Sequence, residues 1–260
     1  MGRLLVSFQT MNDKSYITFQ IFKQFEELVC AFSTRRGGYS KGKFSSLNMG
    51  NIKNDDQITV MNNRRLFFKA LGIEEGTVAL PDQIHSTNIR RVSSPGSIPN
   101  TDALVTSKSG LFLSIQTADC FPVFIYCPEK KITSIIHAGW KGAAQNIVKN
   151  SIELLIKNLG VLSTDLYVAI GPGLQKECFE VRSDVFEQFP AEFREIHEDS
   201  AKRFLNLSGF LKQQLISLKI PAEQIYFSMD CTKCNREKYY SYRRDGDNSG
   251  RMLGIIGIRL

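Results

Sequence analysis

The chain reads as a single α+β domain, a layered α/β sandwich of mixed β-sheets packed with helices. Three observations predict this. Short apolar runs dense in Val, Ile and Phe crowd the centre of the chain, stretches with helical apolar spacing flank them, and no repeat or low-complexity linker divides the 260 residues. Residues 17–22 and 29–33 read as strands, followed by a Gly-rich loop from Gly37 to Gly42. Asp55 or Asp56 caps a helix reaching about Leu71, with Ile58, Met61, Phe68 and Leu71 on its apolar side. Strands are expected around Ile89, Leu104, Leu113, Val123 and Ile135. A helix over 145–158 carries Ile147, Val148, Ile152, Leu155 and Leu159 at helical spacing. Residues 166–170 read as a strand entering the Gly171-Pro172-Gly173 turn. Helices are expected at 183–189 and 205–218, and strands at 225–227 and 253–258. Hairpin-like and helix-linked strands alternate, which argues against a doubly wound parallel sheet. Residues 1–260 form one domain on this reading, with 1–14 peripheral to it.

Composition sets outer limits. Hydrophobic content of 42% and charged content of 23% are those of a globular chain, and no apolar run approaches the roughly 18 residues of a spanning helix. The start, Met1-Gly2-Arg3-Leu4-Leu5-Val6, is too short an apolar patch for a signal peptide, so a cytoplasmic location is the expectation. The six cysteines fit a reducing compartment; Cys231-Thr232-Lys233-Cys234 is a lone C-x-x-C pair, a weak signal for a redox dithiol or half of a zinc site. A net charge of +7 raises the question of nucleic acid. The densest basic cluster, Arg236 to Arg244, is interleaved with Glu237, Asp245 and Asp247, so neither nucleic acid nor membrane is an expected partner. Oligomeric state is not legible.

Only three histidines occur, and two of them stand in chemically suggestive segments. Thr117-Ala118-Asp119-Cys120 follows one apolar run, and His137 ends another, Ile132-Thr133-Ser134-Ile135-Ile136. His85 lies in Asp82-Gln83-Ile84-His85-Ser86. One thiolate and two imidazoles make three zinc ligands with a fourth position open, the ligand count of a catalytic site. The bland alternative is a buried thiol and hydrogen-bonded core histidines. Ligand-capable side chains where neighbouring core strands stop favour convergence at one sheet edge.

These segments, with Phe32-Ser33-Thr34-Arg35-Arg36-Gly37-Gly38, Ser46-Leu47-Asn48-Met49-Gly50, Asn63-Arg64, Ala169-Ile170-Gly171-Pro172-Gly173 and Ser241-Tyr242-Arg243-Arg244-Asp245-Gly246, resemble the multi-copper polyphenol oxidase or laccase-domain family. Its bacterial members are also called peptidoglycan editing factors and purine nucleoside phosphorylases. The resemblance implies metal ligands at His85, Cys120 and His137, with zinc as the cofactor and copper as the alternative metal. It also implies purine nucleoside and phosphate as substrates. Two departures stand out: Lys141 where the family often has arginine, and Leu174-Gln175-Lys176-Glu177 before Cys178-Phe179-Glu180-Val181.

On this basis the expected activity is metal-dependent purine nucleoside phosphorolysis with adenosine deamination, and methylthioadenosine is a further candidate substrate. Cys120 and Asp119 are the catalytic candidates, Asp119 as general base or as the partner that orients an imidazole. Arg35 and Arg64 are candidate phosphate forks, Asn48 a ribose contact, and Gln83 a contact to the purine edge or ribose. Trp140, the one tryptophan, is either a stacking platform or core. Two other enzymes use the same residues. One is a cysteine hydrolase of amides or peptidoglycan precursors, with Cys120 as nucleophile. The other is a copper polyphenol oxidase, for which three histidines are a small supply.

Overall fold

The computed structural model describes residues 15–50, 55–197 and 201–260; the expected periphery, residues 1–14, lies outside the described residues. Two six-stranded sheets stack face to face. The first runs in the order Tyr16–Ile17, Leu28–Ser33, Met252–Ile258, Phe112–Thr117, Val78–Pro81, Gly96–Ile98. The second runs Ile225–Phe227, Tyr167–Ile170, Phe121–Cys127, Ile132–Ala138, Ala103–Thr106, Ile89–Arg91. Both mix parallel and antiparallel pairs. A small antiparallel sheet of Glu180–Val181, Lys202–Leu205 and Arg194–His197 stands apart.

The two-residue period of a strand sorts the apolar side chains into layers. Phe124 and Tyr126 of one central strand meet Leu113, Ile115 and Ile256 of the other sheet in the middle layer. Phe121, Val123, Ile125 and Cys127 of that same strand face helices Ile147–Leu159 and Leu207–Ser217. On the opposite outer face, Val29, Ala31, Leu253 and Ile255 pack under Phe67 and Phe68 of helix Gln57–Ala70. The result is a helix–sheet–sheet–helix sandwich, the layered α+β architecture expected. A Cβ on Gly254 would lie 2.9 Å from Phe124 Cζ, so the absent side chain makes room for the aromatic ring.

Several expectations need correction. Residues 17–22 are not one strand: the strand ends at Ile17 and a 3-10 turn spans Gln20–Phe22. That turn aims Phe19 and Phe22 into the same core, with ring centroids 6.4 Å apart. Asp56 does cap the first helix, accepting from Thr59 N at 2.9 Å. However, Ile58 (68%) and Met61 (42%) are exposed, because the inner face carries Val60, Phe67, Phe68 and the polar Asn63. Asn63 is buried by hydrogen bonding to Ser40 and to the carbonyl of Asn48, a partnership that apolar periodicity does not register. The helix expected over 145–158 is present as Ile147–Leu159; what was not expected is the short helix Trp140–Ala144 before it, separated from it by Asn146 at φ 62°. No helix among the described residues is long and apolar enough to cross a membrane.

This layering positions the site. Residues 118–120 pass from a strand of the first sheet to one of the second, and residues 82–88 make a second such crossing. Phe121 pairs with Ala138 and Pro122 with His137, so both crossings and the end of Ile132–Ala138 meet at one edge.

Phe124 is wholly buried at the sheet–sheet interface. Phe124→Ala is expected to cost about 3–5 kcal/mol, read as a lower urea midpoint at unchanged slope. A loss below about 1 kcal/mol would contradict the rigid sheet–sheet packing described.

Candidate metal centre

His85, Cys120 and His137 converge. Their ligand-capable atoms all lie within 4.8 Å of one another. Cys120 Sγ is 4.0 Å from His85 Nε2, and the imidazole centroids are 4.8 Å apart at an interplanar angle of 73°. His85 adopts φ 59° and Asp119, beside the cysteine, φ 88°, two left-handed conformations that non-glycine residues hold only when their surroundings impose them. The glycine of His137-Ala138-Gly139-Trp140 leaves the space between ligands open. A Cβ there would lie 3.0 Å from Cys120 Sγ and 3.1 Å from His85 Cδ2.

What holds this geometry is Asp102, fully buried. Its Oδ1 accepts from His137 Nδ1 at 2.8 Å and from the backbone N–H of His85 at 3.0 Å. Its Oδ2 accepts from the Ser86 N–H and hydroxyl, both at 2.7 Å. One carboxylate thus orients one imidazole and fixes the loop bearing the other. With Nδ1 occupied, His137 presents Nε2 to the site.

The electrostatics follow from this packing. Burial works against ionisation of Asp102, but hydrogen bonds from His137 and Ser86 override it and hold the carboxyl at about 2. Burial likewise opposes the Cys120 thiolate, yet the His137 charge and the bonds to His137 and His85 bring it down to about 6. His137, pressed toward neutrality by burial, is raised to about 9 by Cys120 and Asp102. Without metal, the pair is therefore thiolate and imidazolium between those values. Two donor nitrogens and a ready thiolate suit zinc or copper.

The triad lines a cavity of about 980 Å³. Arg64, Gln83 and Asp119, expected at the site, line it too. The imidazole-orienting role considered for Asp119 belongs to Asp102. The Asp119 carboxylate instead accepts from Thr232 Oγ1 and from the Arg243 N–H, each at 2.6 Å. Gln83 is used on both amide atoms by Gln116, donating to its carbonyl at 2.8 Å and accepting from its N–H at 2.7 Å, so it tethers the His85 loop. Arg35 lies elsewhere, in a separate cavity of about 570 Å³. Its guanidinium is bound to the carbonyls of Ser45 and Arg236 and stacked 4.6 Å from the Tyr240 ring. Asn48 is fully buried and spent on Asp55, Gly50 and the Arg251 N–H. Trp140 lines the cavity while also packing on the core.

Sequence reasoning missed Asp102, Arg243 and Arg251. Arg243 and Arg251 line the cavity from the C-terminal segment, and the Arg251 guanidinium, its pKa lowered by burial, lies in the field of Cys120 and Asp119. The one signal for Asp102 was a charged residue directly before the wholly apolar start of Ala103–Thr106.

Asp102→Asn should weaken zinc binding by about 10–100-fold, measured by chelator competition with the circular dichroism spectrum unchanged. Unaltered affinity would remove Asp102 from the support of the site. In metal-free protein, alkylation of Cys120 should rise through a midpoint near 6. Because the depressed value comes from the imidazoles, His137→Gln should move that midpoint up toward an ordinary thiol.

Residues 29–259 match the family model described as multi-copper polyphenol oxidoreductase laccase. The chain is 32% identical to a purine nucleoside phosphorylase, YlmD, of Geobacillus stearothermophilus, over 90% of this chain and 92% of that one. It is 28% identical to an adenosine deaminase, RL5, of an unknown prokaryotic organism, over 88% and 94%. The crystal structure of YlmD from Geobacillus stearothermophilus superposes with a TM-score of 0.89 at 30% identity, covering 97% of this chain and 99% of that one. Relatives named as enzymes thus share nearly the full length of the fold. The chain belongs to the multi-copper polyphenol oxidoreductase laccase family.

Proposed function

We propose that this protein is a zinc-dependent purine nucleoside phosphorylase that also deaminates adenosine. The observation that carries the reading is the joining of the His85, Cys120 and His137 cluster with the half-buried Arg64 and Arg251 in one cavity large enough for a nucleoside and an anion. His85, Cys120 and His137 would hold the zinc ion, which would supply Lewis-acid chemistry at this end of the cavity. The donor set and the gap at Gly139 fit such an ion.

The remaining work falls to the chain's own groups. Arg64 is fixed by donating Nε to the Met49 carbonyl at 2.8 Å. Arg251 donates to the carbonyls of Ser249 and Gly250 at 2.8 and 3.1 Å. Guanidiniums stay charged when partly buried and match phosphate oxygens in plane, so these two hold the phosphate. Arg251 takes the place first assigned to Arg35. Leu80, Trp140, Leu174 and Phe179 supply apolar wall for the purine. The Thr117 hydroxyl, buried and without a hydrogen-bond partner among the described residues, is a donor for substrate. Asp119, held by Thr232 and Arg243, is the carboxylate in place to take up and return a proton. In phosphorolysis a phosphate oxygen bonds to the anomeric carbon as the glycosidic C–N bond breaks. The purine leaves with that electron pair and gains a proton.

A second reading has its own support. The Cys120 thiolate beside the His137 imidazolium is also the resting pair of a cysteine hydrolase, which works without metal.

Zinc-loaded protein incubated with adenosine and phosphate should yield adenine and ribose 1-phosphate by mass spectrometry, and inosine with or without phosphate. Cys120→Ala should yield neither. Intact adenosine in every tube would sink the nucleoside reading and leave the hydrolase. Arg251→Ala should raise the KM for phosphate about tenfold or more, since hydrogen bonds to charged groups are worth roughly 1.5–3 kcal/mol.

A further inference from the structure

The lone C-x-x-C pair is not alone in space. Cys178, from the turn Lys176–Cys178, joins Cys231 and Cys234, and the three sulfurs lie within 4.8 Å of one another. Cys178 Sγ and Cys234 Sγ are 3.3 Å apart. Sulfurs sharing a tetrahedral zinc ion at Zn–S of about 2.3 Å sit about 3.8 Å apart, inside the observed spread. The backbone is built around this cluster. Gly173 bridges Cys231 in parallel, and the Thr232 N–H donates to the Gly173 carbonyl at 3.0 Å. The Asn235 N–H closes the C-x-x-C turn on the Cys231 carbonyl at 3.0 Å.

We propose that Cys178, Cys231 and Cys234 form a second metal site, a three-thiolate centre for a thiophilic ion such as zinc, with its fourth position left for water. No fourth histidine, cysteine or carboxylate joins the group among the described residues. Each thiol gives its proton to solvent as its sulfur bonds to the metal. A bound ion would cross-link two walls of the cavity. Phe179 follows Cys178, and Thr232, inside the C-x-x-C turn, is the residue that grips Asp119. A redox role explains the cluster less well, because a Cys178–Cys234 disulfide leaves the inward thiol of Cys231 without a purpose.

The test is zinc stoichiometry of reduced protein kept free of oxygen, by equilibrium dialysis at low free zinc and elemental analysis. Wild-type protein should hold two zinc ions per chain, and Cys120→Ser and Cys234→Ser one each. Cys234 is exposed, so its substitution removes a ligand without opening the core. In the Cys120→Ser protein, cobalt should give thiolate-to-metal charge-transfer absorption that a further Cys234→Ser change abolishes. The site is overturned if wild type holds a single zinc that Cys120→Ser removes and Cys234→Ser does not. It is equally overturned if cobalt gives no thiolate band in Cys120→Ser protein.

Discussion

The candidate metal centre depends on one buried carboxylate. Asp102 has no exposure to solvent, and an unpaired charge there would cost several kcal/mol per ion. It is instead saturated by the His137 ring N–H, the backbone N–H groups around His85 and the Ser86 hydroxyl. The same bonds that satisfy the charge set the rotation of one imidazole and the backbone conformation of the other. His85 keeps φ 59° because the Asp102 carboxylate receives its N–H. Satisfaction of a buried charge and organisation of the His/Cys/His cluster are therefore a single constraint.

The sandwich makes that constraint possible. His137 sits near the end of a central strand, and its backbone is held on both sides, by pairing with Pro122 and by its N–H donating to the Asp102 carbonyl at 2.8 Å. Cys120 and His85 belong to connections that cross from one sheet to the other at the same edge. Rigid strands supply the precision, and short crossings supply the strained backbone at Asp119 and His85. Functional side chains placed on loops braced by a rigid scaffold follow the usual division of labour.

The C-terminal quarter closes the cavity from the far side. Thr232 and Arg243 pin Asp119, and Arg244 ties the same region together through the carbonyls of Thr232, Lys233 and Tyr239. Arg251 then enters the cavity just before Met252–Ile258, the strand that completes the first sheet. The catalytic candidate Asp119 is thus oriented by residues more than 100 positions away. Conformation of the C-x-x-C segment bears directly on the site.

The amino-acid sequence by itself determined the fold class, most core strands, a cap at Asp55 or Asp56 and the candidate His/Cys/His cluster. Apolar runs of period two and the rarity of histidine are local properties, legible without coordinates. Cys120 and His137 could be nominated because ligand-capable side chains where core strands stop are unusual, and His85 because it is one of only three histidines and stands in Asp82-Gln83-Ile84-His85. Tertiary structure decided which neighbours serve them. Asp102 rather than Asp119 on the His137 imidazole, Arg251 rather than Arg35 on the cavity wall, and Cys178 beside the C-x-x-C pair are placements set by segments remote in sequence. Asn48 and Arg35 carried the right chemistry for substrate but were spent on internal hydrogen bonds. Polar partnerships of this kind leave no periodicity in the chain. Hydrophobic patterning is set residue by residue along an element, whereas hydrogen-bond partners are set by where separate elements meet.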